Sequence, residues 1–84
     1  MNDKIFQAVL SANQDNNIKF VDLRILLTQL GFNERIKGDH FIYKKQGLSE
    51  RINIQPNGKS AKAYQVRQIR SVIQKYNLGG GEND

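Results

Sequence analysis

A single histidine, His40, follows a glycine turn in the run Lys37-Gly38-Asp39-His40-Phe41-Ile42-Tyr43-Lys44-Lys45, with lysines on both sides. An imidazole titrates near neutral pH, so it can take a proton from one reacting group or give one to another, an effect worth on the order of 10²- to 10⁴-fold in rate. Ammonium groups nearby could supply what an imidazole lacks, a fixed positive charge opposite an anionic substrate, for about a further 10²- to 10³-fold. The chain has no cysteine, and one histidine cannot build a zinc site from the usual nitrogen and sulfur ligands. Chemistry at His40 is therefore expected to run without a metal and without a small-molecule cofactor. A histidine in a short strand is also an ordinary structural residue, and residue type alone leaves both readings open.

The lysines around His40 belong to a wider asymmetry of charge. Residues 1–34 carry three basic side chains (Lys4, Lys19, Arg24) against four acidic ones (Asp3, Asp15, Asp22, Glu34). Residues 35–78 carry ten (Arg35, Lys37, Lys44, Lys45, Arg51, Lys59, Lys62, Arg67, Arg70, Lys75) against only Asp39 and Glu50. Such a field attracts polyanions, of which nucleic acid is the commonest in a cytoplasm. RNA suits a lone histidine because it brings its own nucleophile, the 2′-hydroxyl. The protein then needs only to remove a proton, align the reacting atoms, stabilise the phosphorane charge and protonate the leaving 5′-oxygen. Lys37, Lys44, Lys45, Lys59 and Lys62 are candidates for the cationic part. The plainer alternative is a solvated basic surface.

At 84 residues the chain makes one small domain that buries about two-thirds of its unfolded surface, so a large enclosed substrate cavity is not expected. Apolar runs such as Ile25-Leu26-Leu27 are far too short to span a membrane, and Met1-Asn2-Asp3-Lys4 lacks the basic and apolar parts of a signal peptide. A cytoplasmic location with no membrane partner is expected.

Periodicity indicates the elements that would hold His40. Ile5, Phe6, Val9 and Leu10 form one stripe of a helix over residues 3–12, closed by Asn13-Gln14-Asp15-Asn16-Asn17. Leu23, Leu26, Leu27 and Leu30 predict a second helix over 20–30, ended by Gly31 in left-handed conformation. The period then shortens to that of three strands, Phe32 to Lys37, His40 to Lys45 and Glu50 to Gln55, separated by Gly38-Asp39 and Gln46-Gly47-Leu48-Ser49. After Pro56-Asn57-Gly58-Lys59-Ser60, the residues Val66, Ile69, Val72, Ile73 and Tyr76 return to helical spacing as far as Leu78. In the third strand Ile52 and Ile54 should face the helices, with Arg51, Asn53 and Gln55 outward. In the second strand His40 shares a face with Ile42, and Phe41 with Tyr43; both sets are mixed, and the pattern does not say which faces out. Phe41 and Tyr43 read as core residues before they read as platforms for stacked bases.

Leu30-Gly31-Phe32, Gly38-Asp39-His40-Phe41-Ile42-Tyr43, Ile52-Asn53-Ile54 and Val66-Arg67-Gln68-Ile69-Arg70-Ser71-Val72-Ile73 together resemble the HicA toxins, the mRNA-cleaving partners of HicB antitoxins. The resemblance covers roughly residues 20–78. It implies an α+β fold similar to the double-stranded-RNA-binding domain, a three-stranded antiparallel sheet with helices on one face in the order α-α-β-β-β-α. One domain would then span residues 1–78, with 1–16 as an additional N-terminal helix and 79–84 as a flexible tail. The implied activity is a metal-independent endoribonuclease in which His40, matching the histidine of the family's Gly-Ser-His motif, is catalytic. Asp39 stands where the family generally has serine. The RNA-binding set expected with it is Lys37, Gly38, Lys44, Lys45, Lys59, Lys62, Arg67 and Arg70. A HicB-like antitoxin is expected to lay acidic side chains over the basic half, cover His40 and exclude RNA, with Phe41 or Tyr43 as an apolar anchor if either is exposed. The reading of a different class is a non-catalytic RNA-binding module of the same fold, which would hold phosphates without using His40.

Overall fold

Three helices and three strands follow one another in the order the periodicity predicts, in a computed structural model that describes residues 3–79. They are α1 (Asp3–Ser11), α2 (Phe20–Gln29), β1 (Asn33–Lys37), β2 (His40–Lys44), β3 (Ile52–Ile54) and α3 (Ala63–Tyr76). The expected tail beyond Gly79 lies outside the described residues.

Helix α2 buries Phe20, Leu23, Leu26 and Leu27 along one stripe. It stops where Gly31 takes a φ of +98°. The Phe32 N–H then donates to the Leu27 carbonyl and the Gly31 N–H to that of Thr28, which satisfies two helix-end acceptors and turns the buried Phe32 onto the core. Phe32 is thus spent in the cap, and β1 begins one residue later than expected. Helix α3 ends in the same way. Asn77 takes the left-handed position (φ 51°) while Leu78 donates to the Ile73 carbonyl, so the helix closes at Tyr76 and does not reach Leu78. A short polar side chain tolerates that conformation where most residues do not.

The sheet has the order β1-β2-β3 and is antiparallel throughout. Lys37 pairs with His40 across the two-residue Gly38-Asp39 loop, in which only Gly38 has a positive φ, the requirement of a type II′ hairpin turn. Asp39 therefore sits in the turn. In the second hairpin Tyr43 pairs with Ile52 and Phe41 with Ile54, so all four share the face that the helices cover. Lys45, Glu50, Arg51 and Gln55, expected at strand ends, lie beyond this ladder.

Tyr43 is completely buried, and its hydroxyl must find a partner there. It donates to Glu34 Oε2 at 2.6 Å. Arg24 of α2 grips the same carboxylate with two bonds, 3.0 Å from Nε and 3.1 Å from Nη2, and its guanidinium carbon lies 4.7 Å from the centroid of the Phe41 ring. Phe20 meets Phe41 edge-on at 4.9 Å. This cluster fastens α2 to β1 and β2. Arg24, and after it the Tyr43 hydroxyl, hold the Glu34 carboxyl below its usual range, while burial, aided by Glu34, pushes the Tyr43 hydroxyl up.

Helix α1 packs on both other helices, with Phe6 and Val9 buried and Ile5 and Leu10 partly so. Arg70 of α3 secures it. One guanidinium nitrogen donates to the Val9 carbonyl and to Asp15 Oδ1, both at 3.0 Å, and the other to Asp15 Oδ2 at 3.2 Å. Both side chains are nearly out of solvent, at 14% and 13% exposure. We predict that Arg70→Ala, which leaves Asp15 unpaired, destabilises the domain by about 3 kcal/mol. Urea unfolding measures the loss, and unchanged RNA affinity of the folded variant would identify the role as structural. Among the described residues no helix is long and apolar enough to cross a membrane.

Candidate functional site

Alternation fixes the face that the helices leave open. With Phe41 and Tyr43 turned inward, β2 presents His40, Ile42 and Lys44 outward, and the register sets Lys37, Arg35 and Asn33 of β1 beside them. On the other flank Asn53 lies opposite Ile42, between Gln55 and Arg51. Four cations, Arg35, Lys37, Lys44 and Arg51, thus surround the half-buried Ile42, and a groove of about 370 Å³ runs between them. Glu34 also lines this groove, but its carboxylate is held by Arg24 and Tyr43 on the helix side.

His40 stands at one end of the face, and two side chains at the β3 flank orient it. Its Nδ1 lies 3.3 Å from Asn53 Oδ1, and its Nε2 lies 3.2 Å from Gln55 Nε2. The arrangement fits a neutral ring that donates from Nδ1 to the Asn53 carbonyl and accepts at Nε2 from the Gln55 amide. The Nε2 lone pair is then the one available to take a proton. Asp39 Oδ1 is 3.8 Å from Nε2 and 3.5 Å from Gln55 Nε2. Half of the His40 side chain is open to solvent. Among the described residues, no three histidine, aspartate or glutamate side chains cluster to hold a metal ion.

The expected RNA-binding residues divide into groups. Lys37, Gly38 and Lys44 sit on or beside the open face. Lys59 is on the loop that leaves the sheet after Gln55, at the His40 end, in the turn closed by the Asn57–Ser60 bridge. Lys62 precedes α3 with its ammonium 6.0 Å from the centroid of the Tyr64 ring, and Arg67 is exposed on α3 itself. Lys45 is one step from Lys44 and turns the other way, its ammonium lying against Gly31 at the end of α2. Arg70 is committed to Asp15 and Val9 and cannot reach a ligand without releasing α1. Tyr43 is buried and Phe41 is packed on Phe20, so neither is exposed as an apolar anchor for a partner.

No protein-family model, curated protein or solved structure matches the chain. The site therefore rests on its own geometry. That geometry adds Arg35, Arg51, Asn53 and Gln55 to the residues singled out from sequence. The outward set of β3 was legible in the Ile52-Asn53-Ile54 alternation; Arg35 becomes legible only when the strands are paired across Gly38-Asp39.

Proposed function

We propose that the protein is a HicA-like toxin, a metal-independent endoribonuclease that cleaves mRNA. Its fold would then be a double-stranded-RNA-binding-like core with α1 added in front. The observation that carries this reading is the opening of the His40 imidazole onto a sheet face that also bears Arg35, Lys37, Lys44 and Arg51. The cations bind the phosphates of a strand laid over the face. With a 2′-hydroxyl at Nε2, the imidazole accepts its proton as the oxygen attacks the adjacent phosphorus, and its cross-strand partner Lys37 balances the charge that develops there. A proton from the imidazolium or from solvent releases the 5′-oxygen and leaves a 2′,3′-cyclic phosphate on the upstream fragment. Gln55 yields its bond at Nε2 to the hydroxyl, while Asn53 keeps the ring in the productive tautomer.

A HicB-like antitoxin is the partner this reading calls for, an acidic protein that covers His40 and the cationic face and competes with RNA. The binding module that does not cut draws its support from Asp39, a carboxylate 3.8 Å from Nε2 that would repel a phosphate brought to the ring.

Incubation of the pure protein with RNA, followed by end-group analysis, tests the proposal. Fragments ending in 2′,3′-cyclic phosphate are expected; bound but uncut RNA would overturn it in favour of the binding module. The same face makes a binding prediction. Replacing Arg35 and Arg51 together by alanine should flatten the dependence of log affinity on log salt by about 0.7 for each phosphate left without its cation. An unchanged slope would remove these arginines from the interface.

A further inference from the structure

The outer edge of β1 combines features that no RNA site requires. β1 pairs with β2 alone, so the N–H and C=O groups along its other side have no strand to meet. On the helix side of this edge Ile36 is 51% exposed, and Val21 and Ile25 of α2 are 50% and 42% exposed. These are three of the four large apolar side chains exposed among the described residues. Single exposed apolar residues are ordinary, but Val21 and Ile25 line a groove that Glu34 of β1 closes, and Ile36 lies two residues along from Glu34 on the same face of the strand. Between α2 and β1 runs a shallow groove of about 250 Å³ lined by Val21, Arg24, Ile25, Thr28 and Glu34. Its charged members are already paired with each other, so an apolar occupant would strand no charge there. On the opposite side of the same strand stand Arg35 and Lys37.

We propose that the β1 edge binds an extended segment of a partner protein in which acidic and apolar residues alternate. A strand added to a sheet presents successive side chains to opposite faces. Apolar residues of the segment lie toward Ile36, Val21 and Ile25, and acidic ones lie over Arg35 and Lys37. A second copy of this chain is the wrong occupant. Antiparallel self-pairing centred on Arg35 sets Arg35 opposite Arg35, and like charges directly opposite destabilise a pair. Cations on an edge strand are a common guard against self-association, but a guard alone does not account for the apolar side chains behind it. Occupation also has a consequence on the open face. Acidic side chains held over Arg35 and Lys37 take these cations from RNA, so the segment competes with RNA without touching His40. Edge binding itself does not depend on RNA cleavage.

The probe is a synthetic, end-blocked peptide of about seven residues alternating glutamate and valine, the length of an ordinary strand, compared with a peptide of the same composition in scrambled order. Binding is followed by fluorescence anisotropy, and amide hydrogen exchange locates it. The alternating peptide should bind and slow exchange in residues 33–37, and the scrambled one should bind at least roughly tenfold more weakly, a difference of about 1.4 kcal/mol. Ile36→Glu and, on a separate element, Val21→Glu should each weaken binding by a similar factor, so a folding defect in one variant leaves the other as the test; Gln68→Ala, exposed on α3, should change nothing. Equal binding of both peptides, protection outside β1, or no binding at millimolar peptide would overturn the proposal.

Discussion

Replacing His40 by alanine is expected to lower the rate of RNA cleavage by on the order of 10²- to 10⁴-fold while leaving RNA affinity nearly unchanged. The two effects should separate because the proposal assigns binding and proton transfer to different residues. In the proposed function phosphates are held by Arg35, Lys37, Lys44 and Arg51, and none of these touches the imidazole through a hydrogen bond. The fold does not depend on His40 either, since the side chain is half exposed and its two partners are surface amides. Single-turnover cleavage of a labelled RNA, with affinity measured separately by filter binding, distinguishes the cases. Cleavage undiminished in the variant would mean that another group, or a contaminating nuclease, does the chemistry. A parallel loss of affinity would mean that His40 contributes to binding and not to proton transfer.

The second large effect lies beneath the sheet. Tyr43→Phe is expected to destabilise the domain at neutral pH by about 1–3 kcal/mol, because the Glu34 carboxylate loses a 2.6 Å donor that water cannot readily replace. The sign of its pH dependence differs at the two ends of the scale. In the folded wild type burial pushes the Tyr43 hydroxyl above its ordinary value of 10.0, so above that pH the unfolded chain loses this proton before the folded one does. Stability present below about pH 10 is then lost as the pH rises further. Phenylalanine has no such proton, and the alkaline decline should become shallower. At the acid end Arg24 and Tyr43 hold Glu34 below 4.5, so its contribution is present above that value and is lost as the pH falls through the lowered folded pKa. Removing the Tyr43 donor narrows the gap between the folded and unfolded Glu34 carboxyl, so less stability is left to lose on acidification. Urea midpoints collected across the pH range should therefore show a variant that is weaker at neutrality and less sensitive to both acid and alkali, its deficit narrowing toward either end of the scale. A uniform drop at every pH would mean that the substitution had disturbed packing alone.

What could be read from the chain depended on how local its cause was. Leu23, Leu26, Leu27 and Gly31 fix α2 and its end within twelve residues, and both follow from spacing and from one left-handed glycine. Ile52-Asn53-Ile54 likewise carries its own orientation. His40-Phe41-Ile42-Tyr43 does not, because Tyr43 turns inward only by virtue of a carboxylate on another strand and an arginine on a helix. Arg24 and Glu34 looked like ordinary surface charges for the same reason. Arg70 was expected on the RNA surface because its partner is 55 residues away. Boundaries shifted where a cap competed with a strand or helix for one residue, as at Phe32 and Asn77.

The tie between Asp15 and Arg70 also bears on how the N-terminal segment can come and go over generations. A descendant that shed residues 1–16 would lose at once both partners of the Arg70 guanidinium and the helix that covers this part of α3. The apolar side chains that α1 now covers, not the freed arginine, would then need to change. The leading helix and the closing helix are in this sense inherited as a pair, and grafting either one alone onto a shorter kindred domain carries half of a lock.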